Sequence, residues 1–247
     1  MNNRWSKTVR SLQQKKYRKK EQLFIVEGRK SVEELLSSPY LETVALFYTE
    51  KHAPAFEQHP AFGKIPETYI STEKQLSQVS HVKNNDSALA IVRIPTQSTP
   101  KTLSGITLAL DDVRDPGNLG TILRIADWYG IKNIICSENC ADFYNPKVII
   151  SSMGSFTRVK AHYVQLGEFL KAQPDSLPIL GAFMEGENIH KATLPQEAIV
   201  VMGNESNGIS EEIEQLVSQK INIPRFGGAE SLNVAIATAI ICDNLFR

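Results

Sequence analysis

The sequence predicts two consecutive α/β domains, the second built on a parallel sheet. Strand-like and helix-like hydrophobic patterns alternate along most of the chain. In the second half the strands are continuous apolar runs, the pattern of strands covered by helices on both faces. Between the halves lies Pro95-Thr96-Gln97-Ser98-Thr99-Pro100-Lys101-Thr102, a polar stretch bounded by prolines that reads as a linker. The predicted boundaries are a first domain over 1–95, a linker over 96–104 and a second domain over 105–247.

In the first half, Leu23–Val26, Thr43–Tyr48 and Ser87–Ile94 are β-branched or aromatic runs of strand length, and Arg29–Leu36 and Thr72–Ser77 carry helical spacing. Ahead of them lies a basic arm. Met1–Lys30 holds ten Lys/Arg against Glu21 and Glu27, a local +8 that the rest of the chain balances to a net charge of zero. With Trp5 and Tyr17 interleaved, this arm suits phosphate contacts and stacking on unpaired bases. Charge alone fits a solvated tail equally well.

The second half opens with a βαβ pattern: strand Ile106–Leu110, loop Asp111–Gly117, helix Asn118–Tyr129 with Gly130 as its stop, and strand Ile131–Cys136. Strands follow at Ile179–Phe183 and Ala198–Met202, and Ser210 opens an acid-rich helix. Ile221–Ile223 reads as a strand end. Pro224 ends its ladder, Gly227 and Gly228 permit a bend, and Ser231 is the expected N-cap of a helix starting at Leu232. That helix has two apolar faces, Leu232/Ile236/Ala239/Ile240 and Val234/Ala237/Ile241/Leu245. A single sheet covers one of them, so the other is expected to meet a neighbouring helix or a second subunit.

No apolar run reaches membrane-spanning length, and the basic N-terminus lacks the apolar segment of a signal peptide, so a cytoplasmic location is expected. Cys136, Cys140 and Cys242 have neither a matching pair nor a histidine cluster, which points to buried thiols and no metal. Walker A and Gly-x-Gly-x-x-Gly signatures are missing.

Ligands of parallel α/β sheets bind beyond the carboxyl ends of the strands, where the loops at Asp111, Gly203 and Arg225 fall. Arg124 points away from the apolar face formed by Leu119, Ile122, Leu123 and Ala126. It is either a solvated surface residue or a guanidinium aimed at a phosphate or a reacting oxygen. Val200–Ile209 runs a buried strand into a glycine-flanked loop carrying Glu205, which fits a close backbone approach to a ligand or a plain turn. Asn233 stands at a helix start, where free amides converge.

Together, Asn118-x-Gly120-x-x-x-Arg124, Gly203-x-Glu205-x-x-Gly208 and Pro224 with Ser231-Leu232-Asn233-Val234 resemble the three ordered motifs of the SpoU (TrmH) family of RNA 2′-O-ribose methyltransferases. Tyr144-Asn145-Pro146-Lys147 and Ser152-Met153-Gly154-Ser155 resemble the segment before that family's middle strand. Lys20–Gly28 is similar to part of the substrate-binding domain often fused ahead of it. The resemblance implies a SPOUT-like catalytic domain with a trefoil knot, preceded by a smaller L30e-like domain, in a homodimer. It implies S-adenosylmethionine held by Met202, Gly203, Asn204, Glu205, Gly208, Ile223, Pro224, Ser231 and Leu232. It also implies catalysis by Asn118, Arg124, Ser231 and Asn233 on a ribose 2′-hydroxyl of ribosomal or transfer RNA. Arg124 is the base proposed for the family. A guanidinium holds its proton, so the expected role is to orient the hydroxyl beside an RNA phosphate that relays the proton. Arg225, where members carry a hydrophobic residue, and Ala235, in place of a common serine, depart from the pattern. The rival expectations are a non-catalytic RNA-binding or ribosome-assembly protein on the same fold, and a methyltransferase acting on a base nitrogen.

Overall fold

The computed structural model describes residues 1–82, 84–96, 98–100 and 102–247; Gln97 and Lys101 of the predicted linker lie outside the described residues. In chain order the first elements are α1 (Asn3–Leu12), α2 (Lys15–Glu21), β1 (Leu23–Glu27), α3 (Arg29–Leu36), β2 (Thr43–Tyr48), α4 (Ala53–Glu57), β3 (Glu67–Ile70), α5 (Glu73–Ser77) and β4 (Ala88–Arg93). There follow β5 (Ile106–Leu110), α6 (Pro116–Trp128), β6 (Asn133–Ser137), α7 (Pro146–Ser151), β7 (Lys160–Val164) and α8 (Leu166–Lys171). The chain closes with β8 (Ile179–Asn188), β9 (Ala198–Met202), α9 (Glu211–Glu214), β10 (Gln219–Asn222) and α10 (Val234–Leu245). They form two compact units. One comprises Met1–Thr96 and Asp142–Arg158, the other Gln97–Ala141 and Val159–Arg247. Residues 142–158 lie inside the stretch that the sequence assigns to the second domain, yet they pack with the first.

The first unit is a four-stranded sheet in the order β1-β4-β2-β3, antiparallel except for the β2/β3 pair. The basic arm is not a tail. Trp5, Val9 and Leu12 fall at i, i+4 and i+7 on α1 and are buried in a core with Ile25, Phe47, Leu89 and Ile91. Trp5 is only 3% exposed, its ring edge-on to Phe47 and its indole N–H donating to Glu67 Oε2 at 2.9 Å. The stacking on bases expected of Trp5 is therefore ruled out, because a tryptophan at the centre of an amphipathic helix face serves the core. Tyr17 is half-buried under the Lys16 ammonium, 4.8 Å from its ring centroid. Arg18 is also buried: its Nε and Nη2 donate to Asp142 Oδ2 at 3.0 and 2.6 Å, and its Nη1 to the Leu12 and Gln13 carbonyls. The 142–158 segment supplies Tyr144 and Phe156, whose rings lie 4.7 and 6.4 Å from that of Phe24.

The second unit is a parallel six-stranded sheet in the order β10-β8-β9-β5-β6-β7. Strand order reverses between β5 and β9, so the loops leaving their carboxyl ends flank a topological switch point. Here β7 and α8 are additions to the sequence reading. Lys160–Val164 is an edge strand with polar residues interspersed, and α8 has only six residues, too short to display a period. The sequence cut β8 at Phe183, but it runs to Asn188. α10 begins at Val234 rather than Leu232, and its N-cap is Asn233, whose side-chain oxygen accepts from the Ala235 and Ile236 amides at 3.0 and 3.3 Å. Ser231 is therefore not the cap. The buried face of α10 is Val234, Ala235, Thr238, Ile241 and Cys242, leaving Ile236 54% exposed. All three cysteines are buried free thiols.

Candidate active site

Three loops at the carboxyl ends of β5, β9 and β10 build the site. Asp111 and Asp112 follow β5 and fasten the neighbouring loop: Asp111 Oδ2 accepts from the Ser210 amide, and the Asp112 carbonyl accepts from Asn204 Nδ2, both at 2.8 Å. Asp115 then caps α6 by accepting from the Asn118 amide at 2.9 Å, with Pro116 as the first helical residue. This places Asn118 one turn from the helix mouth.

The loop after β9 is a closed turn in which Asn204 and Gly208 exchange two main-chain hydrogen bonds of 2.9 Å. Gly208 sits at φ +69, and a Cβ on Gly203 would lie 2.3 Å from the Gly208 carbonyl carbon, so glycine is required at both ends. Asn204 spends its side chain within the turn and on Asp112, accepting from the Ser206 and Asn207 amides. Glu205, at the tip, accepts a short hydrogen bond from Asn118 Nδ2. Asn118 Oδ1 in turn accepts from Asn233 Nδ2 at 2.9 Å. The orientation of this chain is forced, since an ionised Glu205 can only accept and the Asn233 oxygen is committed to the α10 amides. Residues 118, 205 and 233, one from each motif, thus meet in a single polar line.

Beside it opens a cavity of about 1300 Å³. Met202, Gly203, Asn204, Glu205 and Gly208 line it from the β9 side, and Ile223, Pro224, Ser231 and Leu232 from the β10 side. Its far wall was not legible in the sequence. The β8/β10 register slips between Lys220 and Ile221, whose partners on β8 are Gly181 and Glu187, so residues 182–186 bow out against the cavity. Gly186 marks this bulge, for a Cβ there would lie 2.7 Å from the Lys220 carbonyl oxygen. Arg124 is not among the lining residues. It lies on the exposed side of α6, about 9 Å along the axis from Asn118, with no hydrogen bond or ion pair among the described residues. The donor set suits a cationic, partly apolar ligand: buried Met202 and half-buried Ile223 form apolar wall, and four carboxylates, Glu185, Glu205, Glu214 and Glu230, face the cavity against Lys220 and Arg225.

Residues 105–243 match the SpoU rRNA Methylase family, and residues 3–90 the MRM3-like substrate binding domain. The chain is 27% identical to the 23S rRNA (guanosine(2553)-2'-O)-methyltransferase RlmP of Bacillus subtilis (strain 168) over 97% of its own length and 94% of that protein's. A TrmH-family protein from Porphyromonas gingivalis shares its structure at a TM-score of 0.88 with 36% identity, covering 99% of this chain and 98% of that one. The AdoMet-bound rRNA methyltransferase of Sinorhizobium meliloti is similar at a TM-score of 0.81 and 27% identity, over 98% of this chain and 94% of that one. With the matched segment spanning more than half of its residues and the three motifs joined through the Glu205–Asn118–Asn233 hydrogen bonds, this chain belongs to the SpoU rRNA methylase family.

Proposed function

We propose that the protein methylates a ribose 2′-hydroxyl in ribosomal or transfer RNA, with S-adenosylmethionine as the donor. The observation that carries this reading is the Glu205–Asn118–Asn233 line beside a cavity formed by all nine residues assigned to the cofactor. Bound there, the cofactor supplies an electrophilic methyl on a sulfonium. The carboxylate-rich lining favours a cationic ligand, and Gly208, where a Cβ would meet nothing within 4 Å, leaves the main chain accessible to it. Ser231 at the cavity wall and the Asn118/Asn233 pair position the ribose hydroxyl, so much of the rate comes from alignment. Arg124, exposed and free of intramolecular partners among the described residues, binds the RNA phosphate next to the reacting sugar, and that phosphate relays the hydroxyl proton.

The catalytic unit is proposed to carry a trefoil knot: β10 adds at one sheet edge while α10 returns to pack on α6. The assembly is proposed to be a homodimer in the cytoplasm. Supporting the dimer, Trp128 is 85% exposed, and Ile236 and Phe246 are exposed on the α10 side, where Phe246 packs on Tyr129. Among the described residues no helix is long and apolar enough to cross a membrane.

The test is single-turnover transfer to RNA from cells lacking the gene, with the product mapped by resistance to alkaline cleavage at the modified nucleotide. Wild-type protein is expected to create one resistant linkage. Arg124→Lys, which keeps the charge and loses the planar fork, is expected to slow transfer by roughly 10-fold or more with cofactor binding unchanged. Modification of a base nitrogen, or cofactor binding without transfer, would remove the proposal.

A further inference from the structure

Between Pro224 and α10 the chain makes a loop whose residues 225–233 are all exposed. Its tip is clamped: Arg225 Nη1 donates to the Ala229 carbonyl at 3.1 Å, closing a small ring around Phe226, Gly227 and Gly228. A Cβ on either glycine would meet nothing within 4 Å, so the tip stands clear of the protein body. Phe226 is held out on it at 96% exposure, the most exposed large apolar side chain among the described residues, and it lines the methyl-transfer cavity.

The surrounding charge indicates what the ring faces. The cations at this cavity are committed within the protein, Lys220 to Glu214 and Arg225 to the loop carbonyl, while Glu205 and Glu230 remain on its exposed side. With more carboxylates than cations, such a mouth favours a flat, uncharged group over a phosphate. Resting on the function proposed above, we infer that Phe226 is the stacking platform for an unpaired nucleobase at or next to the methylated nucleotide. Stacking uses the face common to every base, so the residue selects unpaired over paired RNA rather than one base over another.

The experiment measures KM for RNA, kcat, cofactor Kd by calorimetry and assembly mass by sedimentation, on undermethylated RNA, for Phe226→Ala, Phe226→Leu and Phe226→Trp. The alanine and leucine variants are expected to raise the RNA KM roughly 5- to 100-fold with unchanged cofactor Kd and mass, and tryptophan to restore it. An unchanged KM in Phe226→Leu would overturn the inference. So would weakened cofactor binding, which makes the ring a cofactor lid, or a fall in mass, which makes it a subunit contact. A wild-type protein that transfers no methyl to ribose removes the proposed function; an active wild type with an indifferent leucine variant removes only the role of Phe226.

Discussion

Asn118 uses both ends of its carboxamide, donating to Glu205 and accepting from Asn233. Substitution by alanine leaves two polar groups without that partner. Aspartate is worse, because it cannot donate to Glu205 and sets a second carboxylate against it. In single-turnover transfer, Asn118→Ala is expected to lose roughly 10- to 100-fold and Asn118→Asp more, with folding intact by circular dichroism. A second residue controls pH response in the first unit. Burial raises the Glu27 carboxyl above 4.5, against the lowering effect of the His81 and Val82 amides that it accepts from. The unfolded chain releases this proton first, so the Glu27 contribution is fully present below 4.5 and is lost as pH rises through the raised folded value. Urea midpoints measured from pH 4 upward are expected to show this decline in wild type and not in Glu27→Gln. Residues 118, 205 and 233 stand out in the sequence only through the resemblance of their three motifs, taken in order, to a known family. Asp111, which ties the β5 loop to Ser210, does not stand out, since an acid in a loop carries no signal of the amide it will meet.

At the scale of elements, the charge of α1 masks its period. Trp5, Val9 and Leu12 mark a buried stripe, and the cations lie on the other side. The arm therefore works as a rigid basic surface: Lys7, Arg10, Lys15, Lys16, Lys19 and Lys20 are exposed, whereas Arg18 is locked to Asp142. Replacing Lys15, Lys16, Lys19 and Lys20 with glutamine is expected to flatten the log-log salt dependence of RNA binding by about 0.7 to 0.9 per lost phosphate contact. Trp5→Ala should leave that slope alone and destabilise the unit by about 3–5 kcal/mol, read by denaturant melting. Strands with uniform apolar runs, such as Ala198–Met202, were legible to the residue. β8 was not, because its second half bows out under a register slip that depends on its partner strand.

For the whole molecule, the parallel sheet and its switch-point loops could be read from alternation alone. The division of the chain could not, for the 142–158 segment is sequential with one unit and packed in the other. A fragment of residues 1–96 lacks the Asp142 carboxylate for buried Arg18 and two of the rings that pack on Phe24. It is expected to show helix and strand by far-ultraviolet dichroism but a weak near-ultraviolet signal, with sharp tertiary signals regained when a peptide of residues 142–158 is added. The same discontinuity sets a timetable during synthesis. Residue 158 follows residue 96 by about 60 positions, roughly 3 to 12 s of elongation, during which the nascent first unit leaves the ribosome without its last wall. The first unit to begin emerging is thus not the first able to close, since its last packed segment is made only after the opening strands of the second.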